Sequence, residues 1–196
     1  MAKGSLTQAE RRTRTRRRLL DAASEVFSKR GFEGASVDAI ASKAGYSIGA
    51  LYSNFASKDD LFLALFDEHM AWLRDSLGEG ALQRSARDGA AAWMSYLEEQ
   101  PERFLIFIEF WAYALRNPRL RPRFAARMAE VRQALTERLK AQAEEQGEAL
   151  PKPAPQLALA TIALARGLAL EQLIDPSAVP RSFFPATIER LFRADS

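Results

Sequence analysis

The chain has no cysteine and a single histidine, His69, among its 196 residues. The first absence excludes disulfides and thiolate metal sites, and the second leaves no imidazole pair for an ordinary transition-metal site, so neither a metal nor a cofactor is expected. Catalytic equipment is missing with them. There is no thiol nucleophile, no second histidine to act as a base, no phosphate-cradling glycine loop and no zincin motif, which argues against an enzyme. An uninterrupted apolar run of about 18 residues is also absent, and the N-terminus lacks the apolar stretch of a signal peptide. A cytoplasmic protein in a reducing compartment is therefore expected. Strand patterns, repeats and low-complexity tracts are missing too, while a hydrophobic content of 47% is enough for a buried core in one large or two small domains.

Charge of either sign is plentiful but unevenly placed. The formal net charge is only +3, yet residues 1–58 hold 11 Lys or Arg against 5 Asp or Glu, a balance of +6, and the remainder balances to −3. Six arginines lie between Arg11 and Arg18. Thr7 and Glu10 have the spacing of a capping box, so a first helix is predicted from there through Leu19, Ala23, Val26 and Phe27 to a stop at Gly31. Cations near a helix N-terminus oppose its dipole by up to about 1 kcal/mol each, so this cluster fits an anionic partner better than it fits helix stability. Two forms suit that partner: a frayed arm that follows a groove, or a helical face laid against phosphates. A solvated charge run is the plainer reading of the same residues.

The next stretch, Ser36 to Ala64, is punctuated by helix signals. Ser36, Ser47 and Ser57 each stand where a side-chain oxygen caps a new helix, and Gly45 stands where the chain must turn sharply. Val37, Ile40, Ala41, Ala44, Leu51 and Phe55 follow helical spacing and close a small core. That leaves Ile48, Gly49, Tyr52, Ser53 and Asn54 to project outward from a helix expected over Ser47 to Phe55.

At AGYSIGALYSNFASKDDLF the chain resembles the helix-turn-helix signature of the TetR-type bacterial transcription regulators. The resemblance is detailed from Leu19 to Ala64, where the Gly31-Phe32 pair also follows the family pattern, and generic beyond. It implies an all-α protein of about nine helices. A three-helix DNA-binding domain over residues 1–56 would be joined by the fourth helix to a ligand-binding and dimerisation bundle over 57–196. In this scheme Ser36, Tyr52 and Lys58, with Lys43 as a further candidate, contact phosphates and fix the protein on the duplex. Ser47, Ile48, Gly49, Ala50, Ser53 and Asn54 form the base-facing set. Asn54 is its one amide and is suited to adenine, Ile48 and Ala50 suit thymine methyls, and Gly49 permits close approach. Capping for Ser36, packing for Tyr52 and solvation for Lys58 are the plain alternatives. Tyr46 departs from the smaller aliphatic residue usual at its place.

Beyond the fourth helix, further helices are predicted at about 86–99, 102–116, 120–146, 155–174 and 181–193. Pro101, Asn117-Pro118, the run from Leu150 to Pro155 and the run from Asp175 to Pro180 supply the breaks. Gly78, Gly80 and Gly89 are read as bracketing a loop. The segment PERFLIFIEFWAYALRNP is apolar almost all round, and with Phe62, Phe66, Trp72, Trp93 and Tyr96 it holds more aromatics than a small bundle needs. An effector pocket is what the resemblance implies, with Trp93, Phe107, Glu109, Trp111 and Arg166 as its lining. Core packing for the aromatics, an arginine partner for Glu109 and a satisfied core or rim position for His69 fit equally. Reading a palindrome takes two copies with recognition helices about 34–36 Å apart, so a homodimer is expected. Its contact would be the last two helices, through QLALATIALARGLALEQLI and Phe183, Phe184, Ile188, Leu191 and Phe192. The expected function is a homodimeric repressor of a palindromic operator in double-stranded DNA, released by a small hydrophobic or aromatic ligand. The alternative is a constitutive dimeric architectural DNA-binding protein without an effector.

Overall fold

The computed structural model describes residues 7–78 and 85–193, and for residues 72–78 the backbone alone. Expectations placed on the side chain of Trp72 and on Gly80 lie outside the described residues. Among the described residues there are nine helices and no strand: α1 (Gln8–Gly34), α2 (Val37–Ala44), α3 (Ile48–Tyr52), α4 (Lys58–Gly78), α5 (Ala86–Glu99), α6 (Pro101–Arg116), α7 (Arg121–Gln146), α8 (Ala154–Ile174) and α9 (Phe183–Leu191). The all-α expectation holds, and helix bounds fall within a few residues of those predicted. Gly89, read as one edge of a loop and also inside the helix predicted at 86–99, lies within α5 and is buried there.

Local chemistry accounts for most of these ends. At the start of α1 the Thr7 hydroxyl accepts the Glu10 N–H at 3.2 Å, and Glu10 Oε2 accepts the Thr7 N–H at 2.7 Å. Two donors with no partner in the helix are thereby satisfied. These bonds to Thr7 hold the Glu10 carboxyl below its ordinary pKa. The capping box begins the helix ahead of the arginines, so Arg11 to Arg18 lie on a formed helix rather than in a frayed arm. α1 does not stop at Gly31; it kinks there, with φ 69° and ψ 173°, and resumes to Gly34. Gly45 ends α2 at φ 75°, where its N–H reaches the Ser42 carbonyl at 3.1 Å and the Tyr46 N–H reaches that of Ala41 at 2.9 Å. Only glycine takes that left-handed conformation without strain.

Two compact units are formed. The first contains the described residues up to His69 together with 102–121, which places α6 in one unit with α1, α2, α3 and the beginning of α4. Its core joins Leu19, Leu20, Ala23, Phe27, Phe32, Ile40, Leu51, Phe55, Leu61, Phe62 and Phe110, all buried. Phe62 stacks on Phe110 with ring centroids 3.7 Å apart, and the Phe32 ring meets both edge-on, at 5.4 Å and 4.9 Å. Burial of each such ring stabilises by about 1.5–3 kcal/mol, and edge-to-face contact adds about 0.5–1.5 kcal/mol.

The second unit holds the described residues among 70–101 and 122–193, hence α5, α7, α8 and α9. Ala90, Met94, Val179, Phe184 and Ile188 make one core cluster. Leu139, Ala154, Leu157 and Ala158 make another, and Leu191 and Phe192 pack against both. Glu98 and Glu189 bind Arg181 and Arg87, tying the α9 region to α5. α8 is the one helix among the described residues long and apolar enough to cross a membrane, and little of it is buried within the chain.

Candidate nucleic-acid interface

The short helix α3 is assembled so that one side is fixed and the other left open. The Ser47 hydroxyl caps its start by accepting the Ala50 N–H at 3.1 Å, and Leu51 anchors it as a fully buried side chain. Ile48 and Tyr52, by contrast, remain 40% and 49% exposed although both are large and apolar in body. Gly49 has no side-chain or backbone neighbour closer than 3.8 Å to a notional Cβ, so the surface there is flat and accessible. α2 is capped in the same way, with the Ser36 hydroxyl accepting the Ala39 N–H at 3.2 Å. Caps, turn and buried anchor hold the open side in one orientation, as a reading surface requires.

The expected contacts do not stand alike. Ser36, Ser47, Ile48, Gly49, Tyr52 and Ser53 are exposed and Ala50 is half-buried. Asn54, expected to offer its amide to a base, instead donates from Nδ2 to the Ala50 carbonyl at 2.8 Å, and its Oδ1 is buried without a hydrogen-bond partner. This side chain and the Ser53 hydroxyl, which donates to the same carbonyl at 2.8 Å, close α3 at Tyr52, three residues before the predicted end. Lys43 is paired with Glu25 at 2.7 Å, and that contact holds the Glu25 carboxyl below its usual range. Lys58 turns away from solvent. Its Nζ donates to the carbonyls of Phe32 at 2.9 Å, Ala35 at 3.1 Å and Glu33 at 3.4 Å, and lies 4.5 Å from the centre of the Phe32 ring. Burial pushes the Lys58 ammonium below its ordinary pKa, against the pull of Asp59 and Glu33.

Sequence reasoning missed how α1 joins this surface. Arg16 donates to the Asn54 carbonyl at 3.3 Å and covers the Phe55 ring at 4.4 Å, pinning α1 to the end of α3. Tyr46, in the turn between α2 and α3, has its phenol pKa lowered by a hydrogen bond with the Thr15 side chain and by the charges of Arg18 and Arg14. The basic side of α1 and the helix-turn-helix thus share one surface. The larger residue at position 46 was the available signal, since an aliphatic side chain there has no hydroxyl to reach α1.

The five residues expected to line an effector pocket fall in different places. Phe107 and Trp111 neighbour one another on α6, with rings 5.5 Å apart, and Phe107 also stacks on Phe66 at 5.7 Å. Glu109, on the same helix, reaches the α1 kink, where Oε2 accepts the Phe32 N–H at 2.8 Å. Trp93 packs in the α5 and α9 cluster of the second unit. Arg166, on α8, has its Nη2 3.1 Å from the Met128 sulfur; burial, then repulsion from Arg132, lowers its pKa to about 10.

Comparison with known proteins bears on both parts of the chain. Residues 19–65 match the family described as bacterial regulatory proteins, tetR family, and residues 82–194 match the C-terminal family of BetI-type transcriptional repressors. The transcriptional activator FasR of Mycolicibacterium smegmatis is 34% identical over 107 residues, 50% of this chain and 47% of FasR. The transcriptional repressor AcnR of Corynebacterium glutamicum is 31% identical over 100 residues, 51% of this chain and 49% of AcnR. The chain therefore spans about half the length of these curated relatives. A crystal structure described as a TetR-family transcriptional regulator from a Rhodococcus species superposes with a TM-score of 0.76 at 26% identity, covering 92% of this chain and 100% of that one.

Proposed function

The chain belongs to the TetR family of bacterial transcriptional regulators, and from that premise we propose that it is a homodimeric repressor that binds a palindromic operator in double-stranded DNA and is released by a small hydrophobic or aromatic effector. In this reading it is not an enzyme and works in the cytoplasm. Residues 1–56 bind DNA, and residues 57–196 serve dimerisation and effector binding. The observation that carries the reading is the open side of α3, where Ile48 and Tyr52 stay exposed on a helix whose caps and buried Leu51 are complete. We assign base contacts to Ile48, Gly49 and Ala50, and to Ser53, whose exposed hydroxyl still accepts a hydrogen bond while it donates to the Ala50 carbonyl. Phosphate contacts fall to Ser36, Tyr52, Lys43 and the α1 arginines Arg14 and Arg18. An exposed ion pair such as Lys43 with Glu25 is worth about 0–1 kcal/mol, so Lys43 exchanges Glu25 for a phosphate at little cost. Lys58 would have to leave three carbonyls, and Asn54 would have to uncap α3, so both serve the frame before they serve DNA.

Repression is supported by the C-terminal family match and by AcnR, although FasR is an activator. For dimerisation the support is the exposed apolar surface of α8 and α9, where Leu159, Leu170, Ile174 and Phe183 lie open. The neighbouring aromatics Phe107 and Trp111 support a flat or apolar effector, which acts by preferring the conformation of lower DNA affinity. The deciding experiment is selection of genomic DNA fragments by the purified chain, with its mass measured in parallel. Enrichment of one palindrome by a dimer is the expected result. Salt-sensitive binding without any preferred sequence would instead indicate the architectural alternative.

A further inference from the structure

One residue of the first unit is held by its neighbours on every side. Gly31 takes φ 69° and ψ 173°, which carries the next peptide out of the helical ladder of α1. The N–H of Phe32 then has to find an acceptor elsewhere, and it finds Oε2 of Glu109, 77 residues away on α6. The backbone requires glycine at residue 31, and the Glu109 carboxylate, while bound at the kink, also fills the space beside it. Its φ lies in the left-handed region, and a Cβ there would stand 2.5 Å from Glu109 Oε2 and 3.1 Å from Cδ and Oε1. The Phe32 carbonyl is taken by Lys58 of α4, and the Phe32 ring lies against Phe62 of α4 and against Phe110, the residue next to Glu109. Four residues after Phe32, Ser36 caps α2. The kink is therefore the joint from which α2 and α3 extend, and α6 holds that joint through a carboxylate that reaches in from an exposed residue.

We propose that Glu109 is a positioning residue for DNA reading: by accepting the Phe32 N–H it fixes the α1 kink, and with it the direction in which α2 and α3 are presented. The inference rests on the DNA-binding reading above. It departs from the expectation that Glu109 faces an effector, because its carboxylate is engaged at the joint. A carboxylate suits the role better than a neutral acceptor of the same reach, since hydrogen bonds to charged groups are about twice as strong.

The test compares the wild-type full chain with Glu109→Ala and Glu109→Gln. Amide exchange at Phe32 is expected to be about tenfold faster or more in Glu109→Ala, and within about threefold of wild type in Glu109→Gln, which keeps an acceptor oxygen. DNA binding is measured on the palindrome that the wild type selects and on versions with half-site spacing changed by one base pair. Glu109→Ala is expected to bind the preferred spacing about tenfold more weakly and to discriminate spacings less, with Glu109→Gln restoring both. A merely structural loss would weaken all spacings alike. Faster exchange with wild-type spacing preference overturns the positioning role, and unchanged exchange removes the hydrogen bond it depends on. A wild-type chain that selects no palindrome defeats the DNA-binding reading itself. A selected palindrome whose spacing Glu109→Ala reads normally defeats only the present inference.

Discussion

Replacing Lys58 by methionine separates two roles that make opposite demands on one ammonium. Methionine keeps an apolar stem for packing on Phe32 and removes the charge that serves the carbonyls of Phe32, Glu33 and Ala35. A hydrogen bond to a charged group contributes about 1.5–3 kcal/mol, and the two shorter bonds, 2.9 Å and 3.1 Å, share one desolvated donor. Its position over the Phe32 ring adds about 0.5–1 kcal/mol. Burial, which lowers the Lys58 pKa, takes back part of this gain. A net loss of about 2 kcal/mol follows, or a melting temperature lower by about 4–8 °C for a chain of this size. A phosphate-binding role predicts something else: stability unchanged, and a salt dependence of DNA binding shallower by about 0.9 in log–log slope for each phosphate that Lys58 would neutralise. Thermal unfolding and a salt titration of operator binding, run on the same preparation, measure both quantities. Wild-type melting together with a shallower salt slope would refute the structural role and return Lys58 to the phosphates.

Further tests address other parts of the chain. Removing the Asn54 side chain with alanine should cost about 1 kcal/mol by deleting the bond to the Ala50 carbonyl and leave base preference intact; a preference relaxed at one base pair in a repeated selection would show that Asn54 reads DNA after all. Ile174→Asp with Phe183→Asp, at positions 84% and 49% exposed, should convert a dimer to a folded monomer in sedimentation, whereas a dimer that persists places the interface elsewhere. His69 gives a pH test. Burial, then the charge of Arg103, lowers its pKa to about 4, and Arg103 Nη1 lies 3.4 Å from Nδ1, consistent with a neutral ring. Between the ordinary pKa of about 6.5 and the folded value, the unfolded chain binds a proton that the native chain refuses, so stability falls as pH is lowered through that window. The loss is at most about 3 kcal/mol, and smaller because the ring is partly open to water. Denaturant midpoints for wild type and His69→Gln should diverge in pH dependence across this range, and parallel profiles would remove His69 as the source.

The parts of this protein that were legible in its sequence are those decided within about one helical turn. Thr7 with Glu10, Ser36, Ser47 and Gly45 act on backbone groups three or four residues away, and the structure shows each of these local bonds. Proline breaks delimited the later helices for the same reason: a missing N–H acts where it stands. The residues whose partners lie far along the chain were not legible. Lys58 looked like a free cation at a helix start, because its carbonyl acceptors lie 23 to 26 residues upstream. Glu109 looked like an odd charge in an apolar helix, because its donor is exposed only by a kink 77 residues away. Both anomalies resolve at a single residue, since Lys58 takes the carbonyl of Phe32 and Glu109 its N–H. The Gly31-Phe32 pair follows the family pattern, but the chemistry that makes it a joint comes from α4 and α6. A variant that keeps only one side of that joint should therefore leave the direction of α3 only partly fixed. Combining Lys58→Met with Glu109→Ala should accordingly lower operator affinity by more than the product of the two single effects if the two bonds back one another up, and by that product alone if each sets the kink independently of the other.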